Sequence, residues 1–580
     1  MTERGYPAFK QSMLVFLLLA VLFLLNWFSV QNKSLTYNEI DHYAYGAMIL
    51  HGYSDRGLDD SKMPISTLNA LPVLLKTIGI EKRTSAQAAA ASREQLAILP
   101  AGSFATWQFQ PGVENRENIH LARLPTVLFS LLLGFYVFRW TNALYGYRAG
   151  IFALFLYVFS PNIIAHSRLA TTDLYSTCLI VISTYYFWRF VNAPSWRMGA
   201  LSATVLGVSQ LTKYTCVYLY PIFLLILLVR HLWPSPEAER PGKPLGRTTV
   251  TFAKFAVLFS VINLLVINAG FLFNGTFQPL SKYRFQSDAF SSLQAVPVVR
   301  DVPLPVPVPF LEGLDRCRFR EHTGEGYGLN YMFGRLRNRG EAFIGYYFVA
   351  FLLKVPLATQ LLLLSSMVAW FLRKGRAGTF MNDGLFLAVP VLFFTLYFNF
   401  FFKAQMGIRH FIVVIPFLCI FMGSLVITPG AGPKAKACIY ALCCYLVVSV
   451  ASYFPHYISY FNELVWDRRM AYKYLVDSCL DLGQNERYLR DYKWNLRDYK
   501  RKDPSIHIRP QSPVEGTVVV SANWLTGVLP GGAFAPEGQP DYAWLRDNFD
   551  PVDHIAYSFL VFEVPVGSLK RLNIKQSGSD

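Results

Sequence analysis

The chain has 580 residues, of which 53% are hydrophobic, 16% aromatic and only 16% charged. Soluble domains carry about 25% charged residues, so this composition places the chain in lipid. The net charge of +17 would suit a nucleic-acid partner. Its cations, however, lie in short loops between apolar runs: Arg139 and Arg148, Arg189 and Arg197, Arg373 to Arg376, Lys434 and Lys436. A further group, Arg230 through Arg247, sits in a Pro-rich connector. This is the pattern of cytoplasmic loops under the positive-inside rule, so the charge reports topology and no nucleic acid is expected.

The first apolar run, Met13 to Val30, has no small-residue cleavage site before Gln31 and reads as a retained span. Runs of spanning length then recur, giving about eleven spans by the usual length criterion. They centre near Phe23, Leu131, Phe155, Ile182, Val205, Phe223, Leu258, Leu361, Phe393, Ile415 and Tyr445. The two flanking Lys213 are the weakest, because the run from Gly199 to Thr212 is short for a full crossing. An odd number of spans with a basic inner N-terminus puts the C-terminus outside.

Three hydrophilic regions then share the outer face. The first, 31–119, holds an Ala-rich stretch from Ser85 to Ser92 and an amphipathic helix over Ile65 to Ile80 suited to a membrane surface. The second, 274–342, contains the Pro-punctuated stretch Val296 to Pro309, which cannot be regular helix. The third is the tail, 455–580, with strand-like Thr517 to Ser521 and Ala556 to Val566 and a short helix over Tyr542 to Asn548. The reading is a transmembrane unit, 1–454, with a small α/β domain docked on its outer face. Most of the eight cysteines fall in or beside apolar runs as small core residues. Cys317 and Cys479 are the two in water-exposed regions, without spacing that argues for a disulfide.

Four charged clusters sit where apolar runs end on the outer side: Asn38-Glu39-Ile40-Asp41-His42, Ser167-Arg168 with Asp173, Thr212-Lys213-Tyr214, and Gly407-Ile408-Arg409-His410. Ionisable groups at a bilayer edge are costly and usually functional. Moving a sugar off a lipid phosphate needs a base for the acceptor proton and cations for the leaving phosphate. Glu39, Asp41 and Asp173 are candidates for the first task; Arg123, Arg168, Lys213 and Arg409 are candidates for the second. The bland alternatives are solvated loop acids, an Arg168–Asp173 pair capping a helix, and arginines snorkelling at span ends. Trp27, Trp140, Trp188 and Trp233 read as interface anchors.

In this order the motifs resemble the membrane-embedded GT-C glycosyltransferases, specifically the protein O-mannosyltransferase group and its bacterial relatives, which include the enzyme that transfers aminoarabinose to lipid A. Asn38-Glu39 with His42 and Gly46 is similar to that family's opening acidic motif, and Met63-Pro64-Ile65 with Leu71-Pro72 to a weakened Pro-Pro-Leu segment. Arg123-Leu124-Pro125, the stretch Ser160-Pro161 through Asp173, and Leu211-Thr212-Lys213-Tyr214 follow. Tyr346-Tyr347, Lys354-Val355-Pro356, Gly407 to His410, Tyr460 to Glu463 and Asp477 to Gln484 resemble the bacterial branch.

The resemblance implies a polytopic α-helical protein of GT-C type. Its expected activity is an inverting single displacement from a polyprenyl-phosphate-linked sugar to a lipid, glycan or protein acceptor. The site would face the periplasm from a bacterial inner membrane, with no cofactor and no obligatory metal. Asn38, His42 and His410 would support the substrate site. One departure matters: the family's opening motif normally begins with Asp, expected as the base, and here it is Asn38. An amide offers hydrogen bonds but no basic site. Glu39 or Asp41 then takes the role, or the acceptor is an already ionised phosphate, or the chain is a non-catalytic relative that binds lipid-linked sugar in an envelope assembly complex. A secondary transporter is disfavoured because the charges gather at the rim and not near the midplane.

Overall fold

The computed structural model describes residues 8–54, 62–81, 116–233, 245–325, 328–338, 340–373, 379–427, 432–492, 505–528 and 540–574. Among them, six helices are long and apolar enough to cross a bilayer, or eight if two bent pairs each count as one span. The eleven expected centres all fall in helices. Ile182, Val205 and Leu258 lie in helices beyond those eight, α7 (Thr172–Asn192), α8 (Trp196–Ser209) and α10 (Leu245–Gly270). α8 is short, as the sequence leads one to expect, because the chain breaks at Gln210 to Lys213 before continuing as a 3₁₀ turn, Tyr214–Tyr218, and α9 (Leu219–Leu232).

Both bends have proline at the joint. α5 (Tyr147–Val158) and α6 (Pro161–Ser167) meet at 65°, and Tyr346–Lys354 meets Leu357–Leu372 at 111°. A proline lacks the N–H for the helical ladder and drives the preceding residue toward extended backbone; Ser160 and Val355 are both extended.

α7 connects two rims. At 21 residues it measures about 30 Å, the thickness of a bilayer's hydrocarbon core. Its far end is held by Trp188, whose indole donates to Asp383 Oδ1 (3.0 Å), and by Arg230, which donates to Asn192 Oδ1 (2.7 Å). Its near end, at Asp173, lies on the rim where the segments expected on the outer face converge. There α2 (Tyr37–Leu50) follows α1 (Ala8–Val30), and α3 (Thr67–Glu81) covers most of the expected amphipathic helix. The Ala-rich stretch Ser85 to Ser92 lies outside the described residues. Gly46 makes the α2 corner possible: a Cβ there would sit in the carbonyl of Ser66.

In the second hydrophilic region, Pro297–Arg300 forms one short turn of helix with proline at its start, and the longer helix Val308–Thr323 begins where the Pro-rich stretch ends. In the tail, β3 (Ile506–Ile508), β4 (Gly516–Ser521), β5 (Asp553–Ile555) and β6 (Phe559–Val564) form one sheet in the order β3-β4-β6-β5. β3 runs parallel to β4 and the other pairs are antiparallel. The sheet is covered on both faces: Val518, Val520, Leu560 and Phe562 join the main core, while Val519, Phe559 and Val561 pack with Leu489. That is why β4 carries consecutive valines where a half-exposed strand would alternate. Cys479, expected in a water-exposed region, is buried, and no disulfide joins it to Cys317.

Candidate functional site

The opening acidic motif is a clamp. Thr36 caps α2 in a capping box: its backbone N–H donates to Glu39 Oε2 (2.8 Å), as expected of an acid three residues into a helix. Arg123 donates from Nε to Oε1 and from Nη2 to Oε2, both at 2.7 Å, and Ala170 N–H donates to Oε1 at 2.8 Å. Both carboxylate oxygens are thereby occupied, and the side chains of Glu39 and Arg123 are 1% and 2% exposed. Burial raises the Glu39 pKa, but the Arg123 charge and these hydrogen bonds outweigh it and hold the carboxyl below its usual value.

This geometry bears on two expectations. Both carboxylate oxygens of Glu39, expected as a base, are engaged, and Arg123, expected on the phosphate, commits Nε and Nη2 to Glu39 and the Ser34 carbonyl while its buried Nη1 has no partner among the described residues. Arg168 is also enclosed: Nη1 donates to the carbonyls of Ser29 (2.6 Å) and Pro455 (3.0 Å), the guanidinium lies over Tyr457, and its buried Nη2 has no partner among the described residues. Burial, then repulsion from Arg123, lowers its pKa to about 10. It braces the end of α1 against the tail and makes no ion pair with Asp173. Asp41 stands on another face of α2, its side chain 30% exposed and 3.8 Å from Lys62. Half-buried Asn38 is one turn before it on that face, while His42 is buried on the Glu39 face.

A second constellation is differently arranged. Asp173 opens the first turn of α7, and its Oδ1 accepts from Lys213 Nζ at 2.5 Å. Lys213 sits in the extended break after α8, whose Leu211 carbonyl accepts from Ile65 N–H (3.1 Å), so the Met63-Pro64-Ile65 segment packs directly on it. The same ammonium reaches His410 Nδ1 at 3.1 Å. An ammonium only donates, so the network assigns Nδ1 as acceptor and leaves the His410 proton on Nε2. Among the described residues that Nε2 has no partner, and neither does the Nε of the adjacent, buried Arg409. Met406 Sδ is the weak acceptor for Arg409 Nη2, and no carboxylate among the described residues lies within ion-pair distance of it. His166 Nδ1 is a further buried nitrogen without a partner.

Gly407 holds this turn in place. Its φ of +72° is left-handed, and a Cβ would come within 2.9 Å of the Ser478 backbone. The tail therefore packs against the residue just ahead of Arg409. Lys354 extends that seam by donating to the carbonyls of Ile458 (2.8 Å) and Cys479 (2.6 Å). Sequence reasoning missed Lys33 and His456. Lys33, buried just past α1, donates to His456 Nδ1 (2.7 Å) and Asn485 Oδ1 (2.6 Å). Its pKa is lowered by burial and by Arg168 and Arg123. A lysine after an apolar run looks like an ordinary interfacial cation, and nothing local marks it otherwise.

Residues 115–260 match the family model described as dolichyl-phosphate-mannose-protein mannosyltransferase. The structure is similar to that of ArnT from Cupriavidus metallidurans bound to undecaprenyl phosphate, at 13% identity over 94% of this chain and 97% of that one, with a TM-score of 0.47. It is also similar to the Archaeoglobus fulgidus oligosaccharyltransferase in its apo form, at 13% identity over 84% of this chain and 58% of that one, with a TM-score of 0.44. No curated protein matches the chain. The segment that matches the family model is the one that supplies Arg123, Arg168, Asp173 and Lys213.

Proposed function

We propose that the chain transfers a sugar from a polyprenyl-phosphate-linked donor to an acceptor at the rim where Asp173, Lys213, Arg409 and His410 meet. The observation that carries this reading is the pair of unspent buried donors, Arg409 Nε and His410 Nε2, beside an ammonium held by Asp173. Buried donors without acceptors are rare and call for a partner. Two such donors on adjacent residues, with the Lys213 ammonium beside them, suit a phosphate, which accepts on several oxygens.

In the proposed step the acceptor oxygen attacks the anomeric carbon as the bond from that carbon to the phosphate oxygen breaks, and the electron pair leaves on the polyprenyl phosphate. Lys213, Arg409 and His410 stabilise the charge that grows there. Asp173 Oδ1 orients Lys213, and Oδ2 takes the proton of a hydroxyl acceptor; a phosphate acceptor would need no base. Asp41, part-exposed next to Asn38, would approach the acceptor from α2. The rim would face the periplasm of a bacterial inner membrane, with residues 455–580 as a domain on that side, and turnover would need no metal.

Purified protein in nanodiscs, supplied with hexosyl, pentosyl and aminopentosyl lipid phosphates and delipidated envelope extract, should release free polyprenyl phosphate from one donor. Asp173→Asn and Lys213→Met should abolish the release. Donor binding without turnover across the panel would sink the transferase reading. It would favour the non-catalytic one, for which Asn38 is the motivating residue, and chelator sensitivity would overturn the metal-free mechanism.

A further inference from the structure

Next to the tail, β1 (Asn330–Met332) and β2 (Arg335–Arg337) form a hairpin whose tip is Phe333-Gly334. Both tip residues have positive φ, +50° for Phe333 and +76° for Gly334. A bulky side chain in that region is strained and persists where the surroundings or a function require it. Phe333 is held there by its N–H, which donates to the Tyr474 carbonyl at 2.9 Å, yet its ring is exposed.

Arg335 and Arg337, two apart on an exposed strand, share one face, while Leu336 lies on the other beside Gly527. The Arg337 guanidinium lies 4.5 Å over the Phe343 ring and donates to the Ala342 carbonyl. Among the described residues no carboxylate is within ion-pair distance of either arginine. Together with Met332, Phe333, Phe343 and Ile344 they line a recess of about 540 Å³.

The recess opens where a span ends. Gly345 N–H donates to the Asn399 carbonyl and Phe348 N–H to Asn399 Oδ1, at 3.2 and 2.9 Å, and Asn399 is in the last turn of the span Phe380–Phe401. Ile344 is 76% and Phe401 69% exposed, and the rings of Phe348 and Phe400, both exposed, meet edge to face. Apolar side chains thus continue from the span to the recess, and guanidinium groups begin where the apolar surface stops. That sequence of chemistries matches an amphiphile whose chains lie in the bilayer and whose charge is a phosphate, because arginine grips phosphate with paired donors.

We propose that the recess holds the headgroup of an anionic phospholipid. Its phosphate diester lies between Arg335 and Arg337, its acyl chains pass Phe333, Ile344 and Phe348, and the hairpin is thereby seated on the membrane. This site is separate from the Asp173–Lys213 cluster and does not depend on the transferase reading.

Native mass spectrometry of the full chain, titrated with phosphatidylglycerol or phosphatidylcholine in mixed micelles, tests it. The wild type should retain one more phosphatidylglycerol than Arg335→Gln/Arg337→Gln, with phosphatidylcholine retention equal in both. Each exposed arginine should contribute about fivefold in affinity, so Arg335→Gln alone gives an intermediate result should the double variant fold poorly. Equal phosphatidylglycerol retention in wild type and variants would overturn the proposal. So would wild-type retention of phosphatidylcholine equal to that of phosphatidylglycerol, or displacement by polyprenyl phosphate alone, which would assign the recess to the donor.

Discussion

Arg123 grips Glu39 with both prongs of its guanidinium, each bond 2.7 Å, in a place closed to water. The pair ties the start of α2 to Arg123 and, through Ala170, to the loop before Asp173. Its work is to fix one motif against the next. Removing one partner leaves a buried charge alone, at a cost of about 3–5 kcal/mol.

Glu39→Gln should therefore lower the thermal unfolding midpoint in detergent sharply, and Glu39→Met/Arg123→Met should recover much of it, since a packed apolar pair avoids desolvation. A base at Glu39 would behave oppositely, with the midpoint unchanged and turnover lost.

Asp173→Asn should be the inverse case. Ser176 and Thr177 hydroxyls donate to the Asp173 main-chain carbonyl and not to its carboxylate, so the start of α7 keeps those bonds. The unfolding midpoint should move little while polyprenyl-phosphate release falls by about 10²–10⁴, the range for losing a general base. Lys213→Arg should keep donor binding and lose most of kcat, because a longer planar cation cannot contact both Asp173 Oδ1 and His410 Nδ1 as an ammonium does. Equal loss of binding and kcat in both variants would mean that the cluster only holds the fold.

The membrane class, the helical positions and the tail strands were legible because hydrophobic runs and β-branched runs are local signals. The site was legible as a set of rim residues but not as a pairing. Glu39 and Arg123 stand 84 positions apart, and Lys213 and His410 197 apart. Whether a rim arginine faces phosphate or is consumed by an acid is decided by how α2 and α7 pack. The sequence pairs Arg168 with Asp173 as neighbours; packing instead sends Arg168 to two carbonyls and gives Asp173 to Lys213. Lys33 was invisible for the same reason, its partners lying more than 400 residues away.

Gly407→Ala should be costly out of proportion to one methyl group. The left-handed backbone and the Ser478 contact both oppose a Cβ, so the turn carrying Arg409 and His410 must shift. Donor turnover should fall about a hundredfold, as misplacing a positioning group by about an ångström does. The unfolding midpoint should fall only modestly. Wild-type kcat in this variant would show that the Gly407 seam does not position Arg409.

Asp481 makes the tail sensitive to pH. Its carboxyl is raised from 3.8 to about 7, chiefly by burial and further by Glu486, although the Gly483 N–H bond to Oδ1 favours the charged form. Between those two values the folded chain holds a proton that the unfolded chain has released. Stability should therefore be greatest at the acid end and decline as pH rises through that window, by at most about 1.4 kcal/mol per pH unit, then level off above it. Asp481→Asn keeps an oxygen for Gly483 and cannot ionise. Its unfolding midpoint, relative to wild type, should rise steadily from pH 4.5 to 7. The segment it belongs to pairs with the approach to α2, through Tyr37 N–H to the Leu482 carbonyl and Ser34 N–H to that of Gln484. Loosening should appear first in hydrogen exchange at Ser34 and Tyr37, and a difference that stays flat with pH would rule out Asp481 as its source.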